Sequence, residues 1–209
     1  MPVFYSQTID DNCRGAIWRI EEPEVFFAKA VPLSREVQHP AKRLQHYAGR
    51  YLLWYLFPEF PLSLIRIAST RKPFIPQDPF HFNISHCGEF AAAIVSNNRQ
   101  VGVDIEIPTE RIFRIQHKMT TQLETERLRH PHLMADEKTF VTLIWSAKEA
   151  LYKWYSLGGI DFREHLKLYN LRPVTEDSGV IEAAIEKDEV IPLNVFYRLW
   201  PEMVYCYIV

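Results

Sequence analysis

The stretch Trp145-Ser146-Ala147-Lys148-Glu149-Ala150-Leu151-Tyr152-Lys153-Trp154 constrains this chain most, because it reads as a helix with two occupied faces. Phe140, Leu143, Ile144, Ala147, Leu151, Trp154 and Leu157 recur at three- and four-residue intervals, the apolar stripe of a helix packed on a core. At 100° per residue, Thr142, Trp145, Glu149, Tyr152, Lys153 and Ser156 fall on the opposite side. The ordinary reading of Glu149 and Lys153 is a solvated i,i+4 ion pair of a few tenths of a kcal/mol. A solvated face rarely carries Trp and Tyr, however, so the flanking aromatics argue for a covered face that leaves a carboxylate and an ammonium in a partly dry cleft.

A chain of 209 residues can bury a full core, and it accommodates one large domain or two small lobes; two lobes are the favoured reading. The formal net charge of -2 argues against a dedicated nucleic-acid binder. Cys13, Cys87 and Cys206 are odd in number and widely spaced, so neither a disulfide framework nor a zinc site is indicated, and a reducing cytoplasm is the expected setting. No segment approaches eighteen uninterrupted apolar residues, and the N-terminus lacks an export pattern, so no membrane association is expected.

Taken in order, residues 1 to 31 read as short strands, with Ala16 to Ile20 the clearest. Ser34 can cap a helical segment through Gln38, and a helix is expected from Ala41 to about Phe57, closed by Pro58. Lys42, Arg43, His46 and Arg50 give that helix a modest basic group, which reads as a solvated edge or as a phosphate contact, with Arg35 just before it. A short strand is expected over Ser63 to Ala68. Arg71-Lys72-Pro73 then presents Lys72 beside a stiff turn. Phe82 to Gly88 and Glu89 to Val95 read as a strand and a hairpin, followed by a strand from Gln100 to Ile107.

In that last strand Val101, Val103, Ile105 and Ile107 alternate inward, leaving Gly102, Asp104 and Glu106 on the other face. The plain reading is the polar face of an edge strand. Two carboxylates on neighbouring same-face positions repel, and Gly102 allows close approach of something bulky. A hard divalent cation would relieve the repulsion: Mg²⁺ accepts a few carboxylate oxygens, waters and substrate phosphates, and Glu149 is the natural third ligand. His86 reads either as a structural strand-end residue or, with Asn83, Ser85 and Gly88 around it, as an anion contact.

Arg71-Lys72-Pro73, Phe82-Asn83-Ile84-Ser85-His86, Gly102-Val103-Asp104-Ile105-Glu106 and Trp145-Ser146-Ala147-Lys148-Glu149-Ala150 followed by Lys153 occur in the order and spacing of 4′-phosphopantetheinyl transferases. The chain resembles the long, two-lobed type of that family, over roughly residues 30 to 170. The resemblance implies an α+β fold of two similar α/β lobes, residues 1–107 and 108–209, related by a pseudo-two-fold within a monomer, with the active site in the cleft between them. It implies transfer of the phosphopantetheine arm of coenzyme A to a serine of an apo acyl or peptidyl carrier protein, releasing adenosine 3′,5′-bisphosphate. Asp104, Glu106 and Glu149 would hold Mg²⁺; Lys153 and His86 would contact phosphates, with Ser85 nearby; Lys72 would steady the nucleotide end, and Arg50 would lie near the 3′-phosphate. Glu149, directly or through a metal-held water, is the candidate base for the serine hydroxyl.

The stretch Arg111 to His132 reads as a loop and helix beside the cleft, its Ile112, Phe113, Ile115, Met119 and Leu123 apolar enough to be core; the resemblance implies a carrier protein with an acidic recognition helix, which could dock on Arg111 and Arg114. After Gly158-Gly159, which would end the central helix, strands are expected over 166–171, 180–185, 193–199 and 203–209. Residues 89–95 and 202–209 are similar apolar runs, a faint sign of duplication. Two other readings remain open: a Mg²⁺-dependent phosphate-ester or nucleotide hydrolase, and a non-catalytic binding module in which the three carboxylates are structural.

Overall fold

The computed structural model describes residues 3–32, 37–70, 72–77, 80–131 and 136–209. The chain divides into two compact units, residues 1–101 and 102–209. The expectations for Ser34, Arg35 and Arg71 fall outside the described residues.

In the first unit, strands β1 (Val3–Asp10), β2 (Cys13–Arg19), β5 (His81–Cys87) and β6 (Phe90–Ser96) form one antiparallel sheet in the order β1-β2-β6-β5. Helix α2 (Pro40–Leu56) crosses it. Pro40 is tolerated in the first turn because its missing N–H would have no intrahelical acceptor there. Ala48, Leu52, Leu53 and Leu56 are buried against small sheet residues, Ala16, Ala91 and Ala93 among them, which lets the helix approach closely. At the crossing, a Cβ on Gly49 would lie 2.5 Å from Ile84 Cγ2. A short helix the sequence reading did not anticipate, α1 (Glu24–Ala28), sets Phe27 edge-on against Trp18, centroids 6.0 Å apart. The strand expected over Ser63 to Ala68 shrinks to β3 (Arg66–Ile67), after a 3-10 turn at Leu62–Leu64, and pairs only with the two-residue β4 (Pro73–Phe74).

The second unit is a five-stranded antiparallel sheet under a long helix. Its strands are β7 (Gly102–Glu106), β8 (Leu166–Pro173), β9 (Ser178–Glu186), β10 (Val190–Trp200) and β11 (Met203–Ile208), in the order β7-β11-β10-β9-β8. Helix α5 (Glu137–Tyr155) starts where the Asp136 carboxylate accepts the N–H of Lys138, and stops at Ser156, whose φ of 69° is left-handed. The helix therefore ends before Gly158-Gly159, and Leu157, assigned from its spacing to the core stripe, is 76% exposed beyond it. Helices α3 (Ile112–Met119) and α4 (Gln122–Leu128) fill the stretch expected to be a loop and helix, and the Thr121 hydroxyl caps α4 by accepting the N–H of Glu124.

The orientation of β7 departs from the sequence reading. Gly102, Asp104 and Glu106 lie directly opposite Ile208, Cys206 and Val204 of β11, residues that belong to the core beneath α5. The carboxylate-bearing face is thus the face under the helix, while Val101, Val103 and Ile105 are buried as well. The bulky group that Gly102 admits is α5 itself: a Cβ there would sit 2.4 Å from the Ala150 carbonyl oxygen. No helix among the described residues is long and apolar enough to cross a membrane.

Candidate functional site

The close approach of α5 to β7 brings the two acidic motifs together within the second unit. Asp104, 2% exposed, accepts a bond from Lys153 Nζ at 2.5 Å. Glu106 Oε1 accepts the indole N–H of Trp145 at 3.0 Å. The sequence reading paired Lys153 with Glu149 along the helix or with phosphate; in the structure the ammonium contacts a strand carboxylate across the helix–sheet gap.

Glu149 stands between these contacts. Burial, opposed by the positive charge of Lys153 and reinforced by the negative charges of Asp104 and Glu106, pushes its carboxyl up to about 7. Three carboxylates therefore share the electrostatic environment of one ammonium, and with all three ionised the group carries excess negative charge in a partly dry setting. The donors are all oxygen, the chemistry that a hard divalent cation takes. Among the described residues no group of three or more His, Cys, Asp or Glu side chains is placed to hold a metal ion; Asp104 is engaged by Lys153 and Glu106 by Trp145.

The aromatic flank of Glu149 is covered, as expected, by a residue the sequence reading did not single out. Phe162 stacks on Trp145 with centroids 5.4 Å apart and an interplanar angle of 21°, and contacts Tyr152 at the same centroid distance. Lys148, the other unanticipated participant, is fully buried. Its ammonium donates to the carbonyls of Met119 (2.7 Å) and Phe162 (3.0 Å) and to Glu124 Oε2 (2.8 Å). Glu124 is completed by the Thr120 hydroxyl at 2.6 Å and by the Leu168 N–H at 2.8 Å. Burial lowers the proton affinity of Lys148, with Glu124 opposing that shift.

The remaining expected site residues belong to the first unit. Arg50 follows His46 by one turn of α2, and burial alone lowers its proton affinity. The His46 ring packs edge-on against His86 of β5 at 5.5 Å, and Gln45 Nε2 donates to the Gly88 carbonyl at 2.7 Å, tying the helix to the β5–β6 turn. Ser85 and His86 are adjacent in one strand and so project from opposite faces; Ser85 is buried and His86 exposed. Of the two, it is the exposed His86 whose side chain is open to an anion. Lys72 precedes β4, its carbonyl accepting the Ala68 N–H at 2.9 Å, and burial lowers its ammonium to about 8.

A family pattern described as the 4′-phosphopantetheinyl transferase superfamily matches residues 100–198, the span that contains β7, α5 and the Phe162 segment. Enterobactin synthase component D of Escherichia coli O157:H7 is 31% identical over 128 residues, 59% of this chain and 60% of that protein. The 4′-phosphopantetheinyl transferase AcpT of the same organism is 29% identical over 147 residues, 66% of this chain and 72% of that protein. The human L-aminoadipate-semialdehyde dehydrogenase-phosphopantetheinyl transferase is 29% identical over 157 residues, 64% of this chain and 49% of that protein. Residues 100–198, a little under half of the chain, are thus similar to the 4′-phosphopantetheinyl transferase superfamily, and the chain spans about 60% of the length of enterobactin synthase component D.

Proposed function

We propose that this protein transfers the 4′-phosphopantetheine arm of coenzyme A to a serine of an apo acyl or peptidyl carrier protein. The observation that carries the reading is the junction of Asp104, Glu106, Glu149 and Lys153 at the α5–β7 contact, within the span that matches the superfamily. In the reaction the serine oxygen forms a bond to the phosphorus on the pantetheine side of the pyrophosphate. The bridging P–O bond breaks, and adenosine 3′,5′-bisphosphate leaves. Glu149, directly or through a metal-held water, would take the serine proton. Lys153 supplies positive charge next to Asp104, where negative charge gathers on the transferring group.

The oxygen-only donor set and its excess negative charge fit Mg²⁺, which Asp104, Glu106 and Glu149 would hold. Bound there, the ion would neutralise pyrophosphate charge. From the first unit, His86 and Arg50 would contact coenzyme A phosphates, and Lys72 the nucleotide end; Ser85, buried on the other strand face, would act through the strand rather than by contact. The expected acceptor surface includes α3 and α4, where Phe113 (37% exposed) and Leu123 (56%) sit among cationic residues such as Arg114 and Arg127. The protein is expected to act as a monomer in the cytoplasm.

Chromatography of the nucleotide product tests the reading against simple hydrolysis. Adenosine 3′,5′-bisphosphate should appear only when coenzyme A, Mg²⁺ and an apo carrier protein are all present. Release at the same rate without an acceptor would replace the transferase with a hydrolase.

A further inference from the structure

The residues that cover the site face of α5 act as one unit. The chain leaves the helix through three left-handed positions, Ser156 (φ 69°), Gly158 (φ 73°) and Gly159 (φ 65°), and returns along it far enough for Phe162 to reach Trp145 and Tyr152. On the helical wheel Trp145 and Tyr152 lie about 20° apart, with Glu149 to one side and Lys148 to the other. Phe162 therefore rests between them: its ring covers the aromatic pair beside Glu149, while its carbonyl accepts Lys148 Nζ on the far side. The same indole that Phe162 stacks on donates its N–H to Glu106.

We infer that Phe162 and Lys148 are positioning residues for the site. The buried ammonium pins the returning segment, the Phe162 ring locks the Trp145 indole, and the indole holds Glu106 in the orientation the carboxylate group requires. The inference rests on the transferase reading for its catalytic consequence, but the mechanical link stands on the stacking and the hydrogen bonds alone. Lys148 touches nothing that reacts. Its ammonium is spent on two carbonyls and on Glu124, which joins α4 and β8 to the same anchor.

The test follows the Trp145 indole N–H by nitrogen-edited NMR of the whole chain, assigned with Trp145→Phe, beside steady-state transfer kinetics. Phe162→Ala is expected to shift that resonance and speed its exchange with solvent. It should lower kcat by about 10–100-fold with little change in KM for coenzyme A. Phe162→Tyr should restore both. Lys148→Met should reproduce the Phe162→Ala signature, and the double variant should be no worse than the poorer single one, because the two act in series. If Lys148→Met does not fold, Lys148→Arg replaces it, and a smaller shift of the same resonance is expected. A folded Phe162→Ala protein with the indole resonance unmoved, or moved with kcat unchanged, overturns the inference. If the wild-type chain transfers nothing, the transferase reading falls, and the indole measurement still decides whether Phe162 holds Trp145.

Discussion

Replacing Gly102 with alanine tests the idea that the site is made by the depth to which α5 settles on β7. The added Cβ would lie 2.4 Å from the Ala150 carbonyl oxygen, 2.9 Å from Trp154 Cβ and 3.1 Å from Trp154 N. An ordinary carbon–oxygen contact needs roughly 3.3 Å, so helix and strand must part by about 0.9 Å. The obstacles are backbone atoms and a Cβ, and no rotamer change relieves them. Withdrawal by that amount stretches Lys153–Asp104 from 2.5 Å and Trp145–Glu106 from 3.0 Å, taking the second beyond hydrogen-bond reach. Overpacking of this kind costs about 1–3 kcal/mol, and the rigid obstacle places Gly102→Ala near the top of that range. The equilibrium constant for unfolding should therefore rise about 100-fold. Urea denaturation measures the loss, and transfer kinetics under folding conditions should fall further than the folded fraction explains. A loss under about 0.5 kcal/mol, with wild-type kinetics, would refute the reasoning.

Glu149→Gln should stabilise the protein at alkaline pH. The folded carboxyl binds its proton more tightly (about 7) than an ordinary glutamate does (4.5). Stability therefore falls as pH rises from 4.5 to 7, and the cost is complete above 7. Glu149→Gln should gain roughly 3 kcal/mol over wild type at pH 8 and almost nothing at pH 4.5, while abolishing transfer; a gain independent of pH would contradict the electrostatic account. Lys148→Met should cost about 3–5 kcal/mol in thermal or urea unfolding, because it strands the buried Glu124 carboxylate, and adding Glu124→Gln should recover much of that loss; strict additivity would deny the pairing. Lys72, lowered by burial to about 8, should take up a proton when coenzyme A binds near pH 8.5. Calorimetry in buffers of different ionisation enthalpy reads that uptake, which Lys72→Met should remove.

The sequence spoke most clearly where periodicity and punctuation agree. Helices α2 and α5 carry long apolar stripes, with Pro58 closing the first, and the strands from β8 to β11 follow alternating runs. The acidic face of β7 was legible as a cluster but not as the face beneath a helix, because alternation cannot say which side of a doubly buried strand meets which layer. Gly102 signalled a close approach without naming what approaches. Lys148 was hidden for a different reason. A lysine on a helix reads as solvated, and the groups that satisfy it come from Met119, Glu124 and Phe162, distant in sequence and without a motif. Phe162 likewise reaches the site only because three left-handed residues reverse the chain. That Ser85 is buried while His86 is exposed follows a rule the sequence does contain, since neighbours in a strand face opposite ways.

The most direct test of the central claim is the intact mass of an apo acyl carrier protein after incubation with this protein, coenzyme A and Mg²⁺. Parallel samples would contain Glu149→Ala or EDTA. The account predicts a phosphopantetheine mass gain on the carrier with the wild-type chain and none in either parallel sample. An unchanged mass across several apo carrier proteins, with coenzyme A intact, would contradict it.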